Sequence, residues 1–386
     1  MMVNKLKYFL VACFLLTILS CGNKQKTVMN EQDSLREIER LDAIEDSLEF
    51  QKSLEAQSNI ANIVNADIET QPVDSQDGDD AADDPAIWVN ENDPAKSLIL
   101  GTNKRAGLYV YNLAGEMLQF NKVGKINNVD LRSGYNYRNK DVVLVAGSNR
   151  TINAISLFII DKEKLTLSDT LKNIKSEVDE VYGICMYKNQ KTKQFFVFVN
   201  GKDGTIEQWE IKANLEAVKV RSFNTNTQPE GMAVNDKTAM LYIGVEDECI
   251  YKMNANPDAS TEMTKLANSD STNSAIKYDI EGIAIFPYKG NDYLIASSQG
   301  NFSYSIFKLG ATDSYVTSFI IKDADFDGVE ETDGLDIAIG SFNQYFPNGI
   351  LVVQDGYNYN NNVKDKQNFK YISLEKIFKF IDKFQN

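Results

Sequence analysis

Histidine is absent from this 386-residue chain, and that one absence removes several kinds of chemistry at once. A Ser-His-Asp triad, a histidine-held zinc and a phosphohistidine intermediate all need an imidazole. Cysteine is nearly as scarce. Two of the four lie in the first 21 residues, and the others, Cys185 and Cys249, stand 64 apart among hydrophobic residues. That spacing gives no disulfide framework, and neither thiol is followed six positions on by Arg, as the phosphate loop of cysteine-dependent phosphatases requires. Positive charge is short as well: 40 Lys and Arg face 55 Asp and Glu, a formal −15. This excludes nucleic acid as a partner, because such binding relies on clustered cations that release counterions. An enzyme made of this sequence works with carboxylates, oxygen-bound metals, Lys, Arg and Tyr.

Long apolar runs are missing too, apart from Tyr8 to Leu19, which Lys5 and Lys7 precede and Ser20-Cys21 ends. It is too short for a lasting membrane span and reads as a signal peptide over residues 1–21, with Cys21 as the lipidated first residue of the mature chain. The expected product is an exported bacterial lipoprotein, anchored to a membrane at the periplasmic face or cell surface. Residues 22–76 are polar, with Phe50 the only aromatic, and read as a spacer. Within them Leu35, Ile38, Leu41, Ile44 and Leu48 recur at helical spacing. From 77 to 386 the chain reads as one all-β domain, helical only in the closing stretch LEKIFKFIDKF.

What that domain does have is a period. Taking the residue before each apolar run, Pro85, Asp130, Gly183, Gly231, Gly282 and Gly334 recur at steps of 45, 53, 48, 51 and 52. Short strands repeating every 40 to 50 residues or so are the signature of a β-propeller, so six starts predict six blades. A second recurrence follows each start, where a strand breaks into a polar loop before another strand. Because the chain reverses at every turn of an antiparallel blade, both loop sets line one face. The first three blades put Lys104, Arg105, Arg150 and Lys202 there; the later three put Glu230, Glu246, Asp279, Glu281, Asp333 and Asp355. A basic half facing an acidic half suits a metal-bridged anion.

Five carboxylates from different blades repel one another unless cations sit among them. Calcium suits them because it accepts many oxygens at flexible geometry. The string DADFDG, Asp323 to Gly328, adds oxygen ligands at alternate positions before a Gly, like the first half of an EF-hand loop. Gly334 stands where a full loop has its closing Glu. On the basic side, Arg forks and Lys point charges, with the phenol of Tyr182 among them, match a phosphoryl group.

These residues sit in strings that run in order through the whole domain: DDPAIWV (83–89), TNKRAGLYVY (102–111), NNVDLR (127–132), SNR (148–150), DEVYG (179–183), GKDG (201–204), EGMA (230–233), EDE (246–248), YDIEG (278–282), SSQGN (297–301), TDGLD (332–336), QDG (354–356) and QNFK (367–370). In them the chain resembles the β-propeller phytases, calcium-dependent alkaline phytases of bacilli and other bacteria. The resemblance implies a six-bladed propeller that hydrolyses phosphomonoesters of myo-inositol hexakisphosphate as a monomeric catalytic domain. It implies several calcium ions, some structural and some activating the attacking water.

By position, Glu230, Glu246, Asp279, Glu281 and Asp333 correspond to active-site calcium ligands, with Tyr182 joining as ligand or phosphate contact. Lys104, Arg105, Arg150 and Lys202 correspond to substrate phosphate contacts. Asp84, Asp130, Asp327, Asp355 and Asn358 correspond to ligands or neighbours of further calcium ions. Arg105 replaces a usual Lys, and Tyr357 stands where an acid is usual. Two other readings remain open on the residues alone: a non-catalytic calcium-binding propeller that takes a ligand at the same face, and a propeller lactonase or esterase.

Overall fold

The computed structural model describes residues 31–76, 80–360 and 363–385. The signal segment and Cys21 lie outside the described residues. Contacts divide the chain into Met1–Gln51 and Lys52–Asn386. A helix, α1, covers Glu31–Gln57, and its Leu41, Ile44 and Leu48 are exposed. Among the described residues, no helix is long and apolar enough to cross a membrane.

Six sheets form a six-bladed β-propeller. Their innermost strands are Ala82–Trp88, Ile126–Tyr137, Val181–Lys188, Pro229–Asn235, Ile280–Tyr288 and Leu335–Ala338, blades 1 to 6 in order. Each packs on the next, and the last packs on the first, which closes the ring. Six hydrophobic clusters lie one between each pair of neighbouring blades. Leu144 with Val197 stands for blades 2 and 3, and Tyr109 with Val352 for blades 1 and 6. Each fully buried side chain of this size contributes roughly 1.5 to 3 kcal/mol, so the core is spread around the ring. The closing stretch is the helix α2, Leu374–Gln385, which buries Leu374, Ile377 and Ile381 on blades 5 and 6.

Residues 62–69, inside the stretch read as spacer, complete two blades. Asn62–Val64 pairs in parallel with Ser314–Ile321 at the outer edge of blade 5. Ile68–Glu69 pairs antiparallel with Asn368–Ser373 in blade 6. The last blade therefore takes its outermost strand from the N-terminal side of the domain, so the two ends of the ring are held by backbone hydrogen bonds.

The period is set by a feature that hydropathy does not show. In blades 1 to 5 the innermost strand carries one extra residue against its neighbour at the same place, between Ala82/Pro85, Ile126/Val129, Val181/Ile184, Pro229/Met232 and Ile280/Ile283, so two residues there oppose one. The bulged pairs are Asp83-Asp84, Asn127-Asn128, Tyr182-Gly183, Glu230-Gly231 and Glu281-Gly282, and Asp333-Gly334 stands at the same point before blade 6. The counterparts of Gly183 are thus Asp84 and Asn128, one and two residues earlier than Pro85 and Asp130. Glycine is needed where bulges crowd: a Cβ on Gly183 or on Gly231 would come within 2.0 Å of the carbonyl oxygen of Glu230 or Glu281.

Candidate active site

A β-bulge re-aims a side chain out of the sheet, and five of them, with the turn at Asp333-Gly334 entering blade 6, aim six side chains at one mouth. Those side chains are Asp83, Asn127, Tyr182, Glu230, Glu281 and Asp333. The loops between second and third strands add Lys104 and Arg105, Arg150, Lys202, Glu246 and Gln299. Both loop sets therefore share one face, as expected from strand reversal.

Glu230, Glu246 and Glu281 bring carboxylate oxygens within 4.8 Å of one another. Glu230 and Glu281 are buried, and Glu281 Oε2 meets no hydrogen-bond donor among the described residues. Gln228 Nε2 donates to Glu246 Oε1 at 2.6 Å, and Asn127 Nδ2 donates to Glu230 Oε1 at 2.9 Å. Burial and the charge of Glu230 push Glu246 up to about 8 and drive Glu281 well above the carboxylate range. Asp279 lies near enough to add to the shift of Glu246. A buried acid oxygen without a donor, inside a group of mutually repelling carboxylates, fits a hard cation with oxygen ligands.

The halves are less segregated than the sequence suggests. Lys104 is only 14% exposed, and its ammonium lies 2.7 Å from Asp333, 2.7 Å from Asp80 and 3.2 Å from Asp83. Blade 6 adjoins blade 1, so the end of the acidic arc meets the start of the basic one. Burial and the charges of Asp80 and Glu230 outweigh Lys104 and lift Asp333 to about 7. The lysine stays protonated, its burial outweighed by those three acids. Gln299 Nε2 holds the other Asp333 oxygen at 2.7 Å.

Beside the carboxylates is a cavity of about 390 Å³ whose cations are Lys104, Arg105, Lys125, Arg150 and Lys202. Arg150 donates from Nε to Glu180 Oε1 at 2.8 Å, bonds the same oxygen from Nη2, and donates from Nη1 to Asn127 Oδ1 at 3.1 Å. Lys202 Nζ sits 4.6 Å over the Tyr182 ring. Burial, then the carboxylates Glu230, Glu281 and Glu246, raise the Tyr182 phenol, so it remains a neutral donor. Arg105 donates from Nε to the Asp80 carbonyl at 3.0 Å.

The other expected metal residues lie elsewhere. Asp84 and Asp130 line a cavity of about 250 Å³ in the central channel. Asp84 Oδ2 accepts from the Val129 N–H at 2.9 Å, and Asp130 pairs with Arg132 at 2.7 Å. Asp327, Asp355 and Asn358 gather with Glu69 around the ammonium of Lys370, which is fully buried. In the DADFDG loop, Asp323 Oδ1 accepts from the Gly328 N–H at 2.8 Å and Asp327 Oδ2 from the Tyr359 N–H at 2.6 Å.

Sequence reasoning missed Asp83, Asn127, Glu180 and Gln299. The first is hidden by its neighbour, since only the bulge register tells which Asp of the pair faces the mouth. The two amides carry no charge to attract notice.

The Phytase family matches residues 44–386. The 3-phytase of Bacillus subtilis (strain 168) is 41% identical over 325 residues, covering 81% of this chain and 84% of its own length. Solved structures align at lower similarity. BBS1N in complex with ARL6DN, soaked with lead, is 11% identical over 74% of this chain and 77% of its own, with a TM-score of 0.45. A functionally unknown protein from Desulfotomaculum acetoxidans DSM 771 is 15% identical over 63% and 74%, with a TM-score of 0.44.

Proposed function

The chain belongs to the phytase family and hydrolyses phytate, and from that premise we propose that it does so with calcium held by Glu230, Glu246, Glu281, Asp279 and Asp333. The observation that carries this is the group of three glutamates whose oxygens lie within 4.8 Å of one another, with Glu281 Oε2 buried and without a donor among the described residues. Phytate bears six phosphates, roughly −9 to −12 in all near neutral pH, and this acidic arc repels it unaided. Calcium bound there supplies the opposite charge and lowers the pKa of a water for attack on phosphorus.

The chain's own residues do the rest. Arg150, Lys202, Arg105 and Lys125 bind a phosphate in the adjoining cavity and so orient the ester beside the glutamates. Asn127 ties the halves together, donating to Glu230 and accepting from Arg150. Tyr182, neutral between them, has a hydroxyl to donate to a phosphate oxygen. Lys104 holds Asp83 and Asp333 in place, which limits how far the acidic arc spreads. Family membership favours this over the non-catalytic and lactonase readings.

Glu230→Gln and Glu281→Gln test it, since each keeps shape and deletes one charge. Each is expected to lower kcat on phytate by about a hundredfold or more, roughly 2.7 kcal/mol. Near-normal kcat in both at saturating calcium overturns the assignment.

A further inference from the structure

The basic cavity carries its own anion. Arg150 gives Nε and Nη2 to a single oxygen of Glu180, and Nη1 to Asn127. A guanidinium has five N–H groups, so these bonds, among the described residues, leave two for a ligand. Glu180 thus does not block the fork. Its carboxylate nevertheless lines the same cavity, with the side chain 43% exposed toward solvent. Any phosphate that enters meets the field of Arg150 already partly cancelled, and a negative charge facing it.

We propose that Glu180 is an attenuating counter-ion, a residue that sets the affinity of the cavity for phosphate low enough for inorganic phosphate to leave. This rests on the reading of the cavity as a phosphate site. The two roles a carboxylate here can play give opposite results when it is neutralised. A residue that only orients Arg150 weakens phosphate binding when lost. An attenuator strengthens it, because one opposing charge beside the ligand is gone while the arginine keeps its own.

The test is inhibition of phytate hydrolysis by inorganic phosphate in the full chain, with Glu180→Gln, Glu180→Ala and Lys202→Ala beside the parent and melting curves on all four. Glu180→Gln keeps an oxygen for Arg150 and deletes only the charge. Its Ki for phosphate is expected to fall about three- to tenfold, and KM for phytate to fall with it. Glu180→Ala is expected to move the same way by less, since the orienting oxygen is lost. Lys202→Ala is expected to raise Ki. If Ki rises or stays within about twofold in both folded Glu180 variants while Lys202→Ala raises it, the attenuator role is overturned and the phosphate site stands. If Lys202→Ala leaves Ki unmoved as well, the phosphate site itself is overturned.

Discussion

Lys104 Nζ lies 2.7 Å from Asp333 Oδ2, and this bond joins the first blade to the last at the mouth of the site. The two residues are 229 positions apart in sequence. They meet only because the ring closes, and the strand Ile68–Glu69 completes blade 6 at that closure. The acidic arc and the basic arc are therefore held together by the same closure that makes the fold.

A chain beginning at residue 77 lacks Asn62–Val64 and Ile68–Glu69 and leaves two blades with open edges. It is expected to melt at least about 5 °C below a chain beginning at Lys52, roughly 3 to 4 kcal/mol for a domain of this size. Differential scanning calorimetry on the two chains measures this, and equal melting temperatures contradict the closure role of residues 62–69.

Lys104→Met removes the cation from among Asp80, Asp83 and Asp333. Breaking a buried pair by removing one partner leaves the acids uncompensated, a cost of about 3 to 5 kcal/mol. Urea denaturation in EGTA is expected to show a loss of unfolding free energy of that size, read as a lower midpoint at unchanged slope. A loss below about 1 kcal/mol means that the acids relax into solvent when the lysine is gone.

Much of this was legible in the sequence, and what was not has physical causes. Six blades could be counted because each repeats an apolar strand after a polar turn. The phase was off in blades 1 and 2, because a bulge of one extra residue changes no hydropathy and Asp130 imitates a turn residue inside a strand. There it is satisfied by Arg132 and the Met186 N–H. The edge strands at 62–64 and 68–69 are too short to show an alternating pattern, and their partners lie some 250 to 300 residues away. Nothing in the string QNFK marks Lys370 as buried. It is buried because Glu69, Asp327, Asp355 and Asn358 surround it, an arrangement that only the tertiary fold assembles.

Stability without calcium is expected to fall as pH rises. Glu246 is held up to about 8 and Asp333 up to about 7 in the folded chain, whereas both ionise near about 4 when unfolded. Between those values the folded state binds more protons than the unfolded one, so unfolding free energy declines with pH. The stability is fully present below about pH 4 and is lost as pH climbs through about 7 to 8. Melting curves in EGTA from pH 5 to 8 are expected to drop steadily, and millimolar calcium to flatten the drop. A flat profile in EGTA contradicts the raised values.

The central claim is that the carboxylate ring works on phytate through calcium, and phosphate release after exhaustive dialysis against EGTA tests it most directly. Activity is expected to fall to background, to return when calcium is added back, and to do so together with a rise in melting temperature, since an ion that binds only the folded state stabilises it by mass action. Phosphate release and melting that both survive dialysis unchanged contradict it.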